Sequence, residues 1–232
     1  MTYTQSIYFI GDIMKRNIDL AEISDGKFYT ANDLAKLGCN DCIGCSKCCE
    51  NMGVSIILDP LDIHRLTIAT GLTFEQLLID KIELNIVDGV ILPNIKMNQK
   101  NICPFLNEEK RCSIHEHRPG FCRIFPLARI YENNDFRYIL QIHECQKEQK
   151  TKLKIKNWIC TDDINKNHSF INSWHYFLLS VSQKLSAENE SSIKQITMFI
   201  LNMFYLTPFR KDIDFYDIFN ERLKNAKSAL DI

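Results

Sequence analysis

The 232-residue chain has almost no excess of either charge, with 28 Lys and Arg against 29 Asp and Glu. That balance gives no global pull towards nucleic acid or a charged membrane surface. Glycine (8) and proline (6) are scarce, and no Pro/Gly/Ser-rich linker or internal repeat occurs. With 45% hydrophobic and 10% aromatic residues, collagenous, low-complexity and disordered chains are excluded. Long hydrophobic runs are missing too. The longest uncharged segments, 168–183 and 195–209, fall short of the roughly 20 residues that span a bilayer, and they read as buried core helices. The N-terminal stretch MTYTQSIYFIGDIMKRN does not read as a secretory leader, because Asp12 breaks its apolar run and Lys15 and Arg16 follow it. The expected compartment is therefore the reducing cytoplasm. Neither GxGxxG nor GxxxxGK[ST] occurs, and Met52 stands where a CxxxCxxC series through Cys45 and Cys49 needs its third cysteine.

What the chain does have is cysteine: ten residues, five of them (Cys39, Cys42, Cys45, Cys48, Cys49) within eleven positions. A chain of this size buries enough surface to fold without disulfide staples, and clustered thiols in a reducing compartment serve as metal ligands or catalytic groups. A two-residue gap lets a tight turn aim two thiolates at one centre. Three such gaps in succession resemble a ferredoxin run more than a zinc finger, which uses one pair and then a distant pair. Isolated cysteines, such as Cys160, are more often buried small hydrophobes. A disulfide-exchange role for Cys42 and Cys45 would leave both among many competing thiols. Further on stand Cys103-Pro104-Phe105-Leu106, Cys112-Ser113-Ile114-His115, Arg118-Pro119-Gly120-Phe121-Cys122-Arg123 and His143-Glu144-Cys145. Four thiolates on Zn²⁺ carry a formal charge of −2, as does an oxidised four-iron cluster, and Arg111, Arg118 and Arg123 are placed in sequence to offset it.

The run CIGCSKCC followed by CPFL, CSIH, RPGFCR and a later cysteine resembles the zinc- or iron-chelating cysteine-cluster family. That family is named for its CxxCxxCC signature and includes the flagellin lysine N-methylases. The resemblance covers roughly residues 40–150. It implies metal or iron–sulfur ligation by Cys42, Cys45, Cys48, Cys49, Cys103, Cys112, Cys122 and Cys145, and leaves Cys39 and Cys160 outside. Neighbouring side chains in extended backbone point to opposite faces, so Cys48 and Cys49 either serve different centres or one stands behind the other. Two four-ligand sites would use all eight thiols; one four-iron cluster would use four. Spacing favours an iron–sulfur cluster over a zinc or iron ion.

Other groups have simpler readings beside the chemical ones. His115, His117 and His143 lie close to ligand cysteines and are placed to complete or tune a metal site, or to sit at the surface. His64 and His175 read as packing or surface residues, and His168 as a helix start. Asp59 and Asp62 suit paired acid–base work by spacing, but helix capping accounts for both. The lysines from Lys147 to Lys156 read as the solvated face of a strand, since a nucleic-acid groove would need aromatic partners and only Trp158 is near.

These readings divide the chain into 1–37, an N-terminal segment; 38–160, a cysteine-cluster metal-binding region; and 161–232, a helical region packed on it, the whole forming one compact unit. Residues 29–37 read as a short helix. Asp59-Pro60 and Thr73 with Gln76 start capped helices, Asp88-Gly89 turns a hairpin, and 136–143 and 151–158 read as strands. Stripes through Trp174, Phe177, Leu178, Val181 and Leu185, through Ile193 to Phe204, and through Phe215 to Leu223 read as core helices. The fold class is α+β, with a cysteine-rich core of short strands and loops. Two functions fit: a metalloenzyme that modifies a protein side chain, lysine N-methylation being what the resemblance implies, or a non-catalytic zinc- or iron-binding module for metal handling, regulation or protein contacts.

Overall fold

A computed structural model describes residues 7–9, 12–16, 20–38, 45–145 and 147–232, the first two stretches as backbone. The fold is α+β: among the described residues eight short strands pair off as four antiparallel two-stranded ribbons, and the C-terminal part is helical. Among the described residues no helix is long and apolar enough to cross a membrane.

β1 (Ile7–Phe9) pairs with β2 (Asp12–Arg16), and α1 (Leu20–Ile23) follows. The stretch expected as a helix at 29–37 is instead a turn leading into β3 (Leu34–Gly38), which pairs with β8 (Thr151–Lys154). The Asp33 carboxylate closes that turn by accepting from the Thr30 amide (2.6 Å) and hydroxyl (2.7 Å). Beyond it Ala35 and Leu37 are buried while Leu34 and Lys36 are exposed, the period of two that a half-buried strand requires. At the end of β3 the partner strand comes close: a Cβ on Gly38 would collide with the Thr151 hydroxyl. The expected strand at 151–158 is likewise shorter. After four residues with Lys152 and Lys154 solvated, the chain turns into α5 (Ile155–Ile159).

α2 (Pro60–Thr70) and α3 (Phe74–Asp80) both open with reciprocal capping boxes, Asp59 with Asp62 and Thr73 with Gln76, and Gly71 ends α2 at φ 70°. β4 (Ile82–Val87) and β5 (Val90–Ile95) form the expected hairpin about Asp88-Gly89, both residues having positive φ. α4 (Gly120–Ile124) precedes a second hairpin, β6 (Leu127–Glu132) and β7 (Asp135–Leu140), turned on Asn133 and Asn134. α6 (Ile164–Leu185), α7 (Glu190–Leu201) with a π-turn over Asn202–Leu206, and α8 (Phe215–Leu230) complete the chain. His168 lies within α6 rather than at its start, and its Nε2 meets the Asp135 carboxylate at 2.6 Å.

One core joins these parts. Leu58, Leu66, Leu77, Ile82 and Leu92 from the middle of the chain share a single buried cluster with Phe170, Phe177, Phe204 and Phe219 from the tail. Ring contacts such as Trp174–Phe204 (4.9 Å) and Phe170–Phe219 (4.6 Å) knit α6, the π-turn and α8. Each such ring contributes about 1.5–3 kcal/mol by burial. The β6–β7 hairpin is covered on both faces: Leu127, Tyr131 and Phe136 turn into this core, and Ala128, Ile130 and Ile139 pack on Leu20, Ile23 and Phe28.

Candidate metal centre

The cysteine segments are held together by backbone pairing. Residues 49–51 lie antiparallel to 101–103, with the Cys103 amide donating to the Cys49 carbonyl (2.8 Å) and the Asn51 amide to the Asn101 carbonyl (2.8 Å). Asn107 then turns the chain back, accepting the Arg111 amide on its side chain (2.8 Å), and Leu106 bridges Cys112. Cys122 comes from α4, whose first amide, that of Gly120, donates to Asp62 Oδ1 at 2.7 Å. The cap of α2 therefore also seats the Arg118–Arg123 turn.

Cys48 and Cys49 do not lie in extended backbone. They belong to a 3₁₀ turn (Lys47–Cys49), which swings both thiols to one side and leaves their sulfurs 4.0 Å apart. Zn–S bonds of about 2.3 Å place two tetrahedral ligands about 3.8 Å apart, so the two sulfurs are close enough to share one ion or to stand in two adjoining centres. Cys49 is hydrogen-bonded to Cys103 as well. The contact with Cys49, aided by Arg118, pulls the Cys48 thiol down to about 7. Cys103 is lowered by its bond with Cys49, whereas the bonds to Cys103 and Cys48 push Cys49 up, and burial pushes up Cys112 and Cys122.

Two adjoining cavities collect these thiols. The smaller, about 50 Å³, is bordered by Cys45, Cys48, Cys49, Cys103, Cys112 and Cys122. The larger, about 370 Å³, is bordered by Cys45, Cys48, Cys122 and Cys145. Seven of the eight expected ligands thus converge; the eighth, Cys42, lies with Cys39 outside the described residues. Cys160 borders neither cavity and is exposed at the end of α5. Among the described residues no three donors already stand close enough to hold an ion. The donor set itself, soft thiols crowded around a shared hollow, is that of zinc or iron–sulfur ligation.

The auxiliary residues sort differently from expectation. Arg118 borders both cavities and meets His115 Nε2 at 2.8 Å, and Arg111 borders the smaller one. Arg123 does not face the thiols: it is buried and donates to the carbonyls of Glu116, Arg118 (3.0 Å), Ile159 (3.3 Å) and Cys160 (2.8 Å). His115 borders the smaller cavity, but His143 is exposed and bonded to the Glu22 carbonyl (3.1 Å). Lys110 and Lys147 border the larger cavity beside Trp158, a grouping that nothing in the sequence spacing indicates.

The model of the CxxCxxCC family, “Putative zinc- or iron-chelating domain”, matches residues 41–161, just over half of the chain. The chain belongs to this family. No curated protein and no solved structure matches it. The matched segment of this CxxCxxCC protein contains all eight expected ligands and ends just past Cys160.

Proposed function

We propose that this CxxCxxCC protein is a metalloprotein whose centre is ligated by Cys45, Cys48, Cys122 and Cys145 around the larger cavity, and that an iron–sulfur cluster occupies it in preference to zinc. The observation that carries this reading is the convergence of those four thiols on a space of about 370 Å³. A water-sized group needs about 10–15 Å³, so the space exceeds the eight core atoms of a four-iron cluster and leaves room for a substrate group beside it. The border carries Lys47, Lys110, Arg118 and Lys147 against the one carboxylate of Glu50, which offsets the negative charge that four thiolates bring. When bound, a cluster supplies one-electron chemistry or Lewis acidity. The protein's own residues would confine it, with Trp158 on one wall and the cations at the border. An enzyme that modifies a protein side chain, with lysine N-methylation as the reaction the family resemblance implies, fits this open arrangement.

A second reading is a non-catalytic zinc- or iron-binding module. It is favoured by the smaller cavity, where buried Cys49 and Cys103 with Cys112 surround only about 50 Å³. That space takes an ion and excludes a cluster, and closed thiolate sites of this kind are structural. The family resemblance implies Cys42 as a further ligand.

Anaerobic purification followed by metal and acid-labile sulfide analysis and an absorption spectrum separates the readings. Iron with matching sulfide and broad visible absorbance is the expected result. A colourless protein with stoichiometric zinc and no sulfide would establish the second reading.

A further inference from the structure

The β3–β8 ribbon is packed on the core by one face only. Ala35 and Leu37 are buried, and the outer face is made of two directly opposed pairs, Leu34 with Lys154 and Lys36 with Lys152, all four residues being exposed. Two lysines facing each other across an antiparallel pair repel and weaken the ribbon. Among the described residues none of Lys36, Lys152 and Lys154 makes an ion pair with a carboxylate that would relieve this. Solubility alone asks for charge on such a face, but charges of mixed sign serve it without the repulsion.

The same sign continues to the mouth of the larger cavity. Lys147 at the cavity border stands shortly before β8 begins at Thr151, and Trp158 on the cavity wall follows in α5. Lys47 and Lys110 stand at the same border, both exposed. With Lys147 and Arg118 they set four cations against Glu50, whose carboxylate already accepts from the Ser46 hydroxyl. Three positive charges thus remain where a four-thiolate centre brings two negative ones, so the mouth keeps the sign of the ribbon. Such a surface attracts an anion and repels a lone cationic side chain. The ribbon's outer face offers no aromatic ring on which nucleic-acid bases could stack, and its apolar member, Leu34, suits a side chain of a polypeptide.

We infer that the outer face of the β3–β8 ribbon and the mouth of the larger cavity form a docking surface for an acidic segment of a partner protein. The segment lies along Lys36, Lys152 and Lys154 and leads past Lys147 to the thiols. Calling that partner the substrate rests on the enzyme reading above; the docking surface itself does not. In that reading a lysine to be modified arrives flanked by Asp or Glu, because the border repels it otherwise.

The test is fluorescence anisotropy of short labelled peptides with the metal-loaded, full-length protein. A Glu-rich peptide, the same peptide with Gln in place of Glu, and an oligouridylate of equal charge are the probes. The Glu-rich peptide is expected to bind at least about tenfold more tightly than the Gln peptide, and to weaken as added salt screens the contact. Lys152→Glu carries the decisive contrast. It sets opposite charges across the ribbon from Lys36, so Tm should rise by about 1–3 °C. Affinity for the Glu-rich peptide should nevertheless fall about fivefold, a loss that is not a loss of fold. Lys110→Gln at the mouth should weaken the peptide about twofold with Tm unchanged. The proposal is overturned if the Gln peptide binds as tightly as the Glu-rich one, if the oligouridylate binds more tightly than either, or if neither variant weakens the Glu-rich peptide. Metal and sulfide content are read on the same samples. Selective binding by a preparation without metal supports this surface and contradicts only the metalloprotein reading.

Discussion

Replacing Arg123 probes how the cysteine-bearing turn is built. In Arg123→Ala four carbonyls, those of Glu116, Arg118, Ile159 and Cys160, lose a donor that joins the Arg118–Arg123 turn to the end of α5. Charge-assisted hydrogen bonds contribute about 1.5–3 kcal/mol each, so simple addition gives about 6–12 kcal/mol. Two corrections lower it. Of the four acceptor residues only Ile159 is buried, so water can replace the donor at the others. The cation also carries a desolvation cost, since burial pulls its pKa down to about 10, and removal recovers that cost. The expected net loss is about 3 kcal/mol, or about 6–12 °C in Tm for a chain of this size. Urea unfolding of the metal-free protein measures it directly. Arg123→Met should lose nearly as much as Arg123→Ala, because it restores volume without donors, while Arg123→Lys should lose about half. All three should retain the parent's metal content under conditions where they are folded, since Arg123 borders neither thiol cavity. A loss below about 0.5 kcal/mol in Arg123→Ala, or a parent-like Arg123→Met, would refute the carbonyl-clamp account.

Cys45→Ser and Cys122→Ser should each lower bound metal below half of the parent's stoichiometry by elemental analysis, whereas Cys160→Ser should leave it unchanged; full occupancy in Cys45→Ser would contradict the ligand assignment. Removing the metal with a chelator should lower Tm in differential scanning calorimetry, because the proposed centre would tie 45–49, 103–112, α4 and Cys145 together. His175 is held neutral by burial and by Arg129, its pKa lowered to about 4. The unfolded chain therefore takes up the proton first, and stability should be flat above about pH 6.5 and fall towards pH 4, by about 2 kcal/mol at pH 5. His175→Phe, which keeps a ring against Tyr131, should flatten that slope in urea titrations at pH 7 and pH 5. Gly38→Ala should cost about 1–3 kcal/mol by forcing β3 and β8 apart, and Thr151→Ala should relieve part of it in a double-mutant cycle.

Features carried by neighbouring residues were legible. Asp59-Pro60 with Asp62, Thr73 with Gln76, and Asp88-Gly89 each contain their own hydrogen bonds or dihedral preference, and each element starts where those residues stand. Residues 29–37 misled because their strand character comes from Thr151–Lys154, more than a hundred positions away, rather than from local propensity. β6 escaped notice because a charged residue, Arg129, interrupts the apolar alternation of Leu127 and Tyr131. The eight cysteines that the family resemblance implies as ligands could be named from their order in the sequence. Their division could not, because the 3₁₀ turn that brings Cys48 and Cys49 to one side, and the pairing that sets Cys49 against Cys103, are tertiary events. Arg123 looked like a counter-charge since it adjoins Cys122, yet on α4 it points to the carbonyls of α5.

The most direct test of the central claim is X-ray absorption fine structure at the edge of the metal found in the anaerobically purified protein. A thiolate-bound centre predicts about four sulfur neighbours at about 2.3 Å. A first shell of nitrogen and oxygen at about 2.0–2.1 Å, without sulfur, would contradict it.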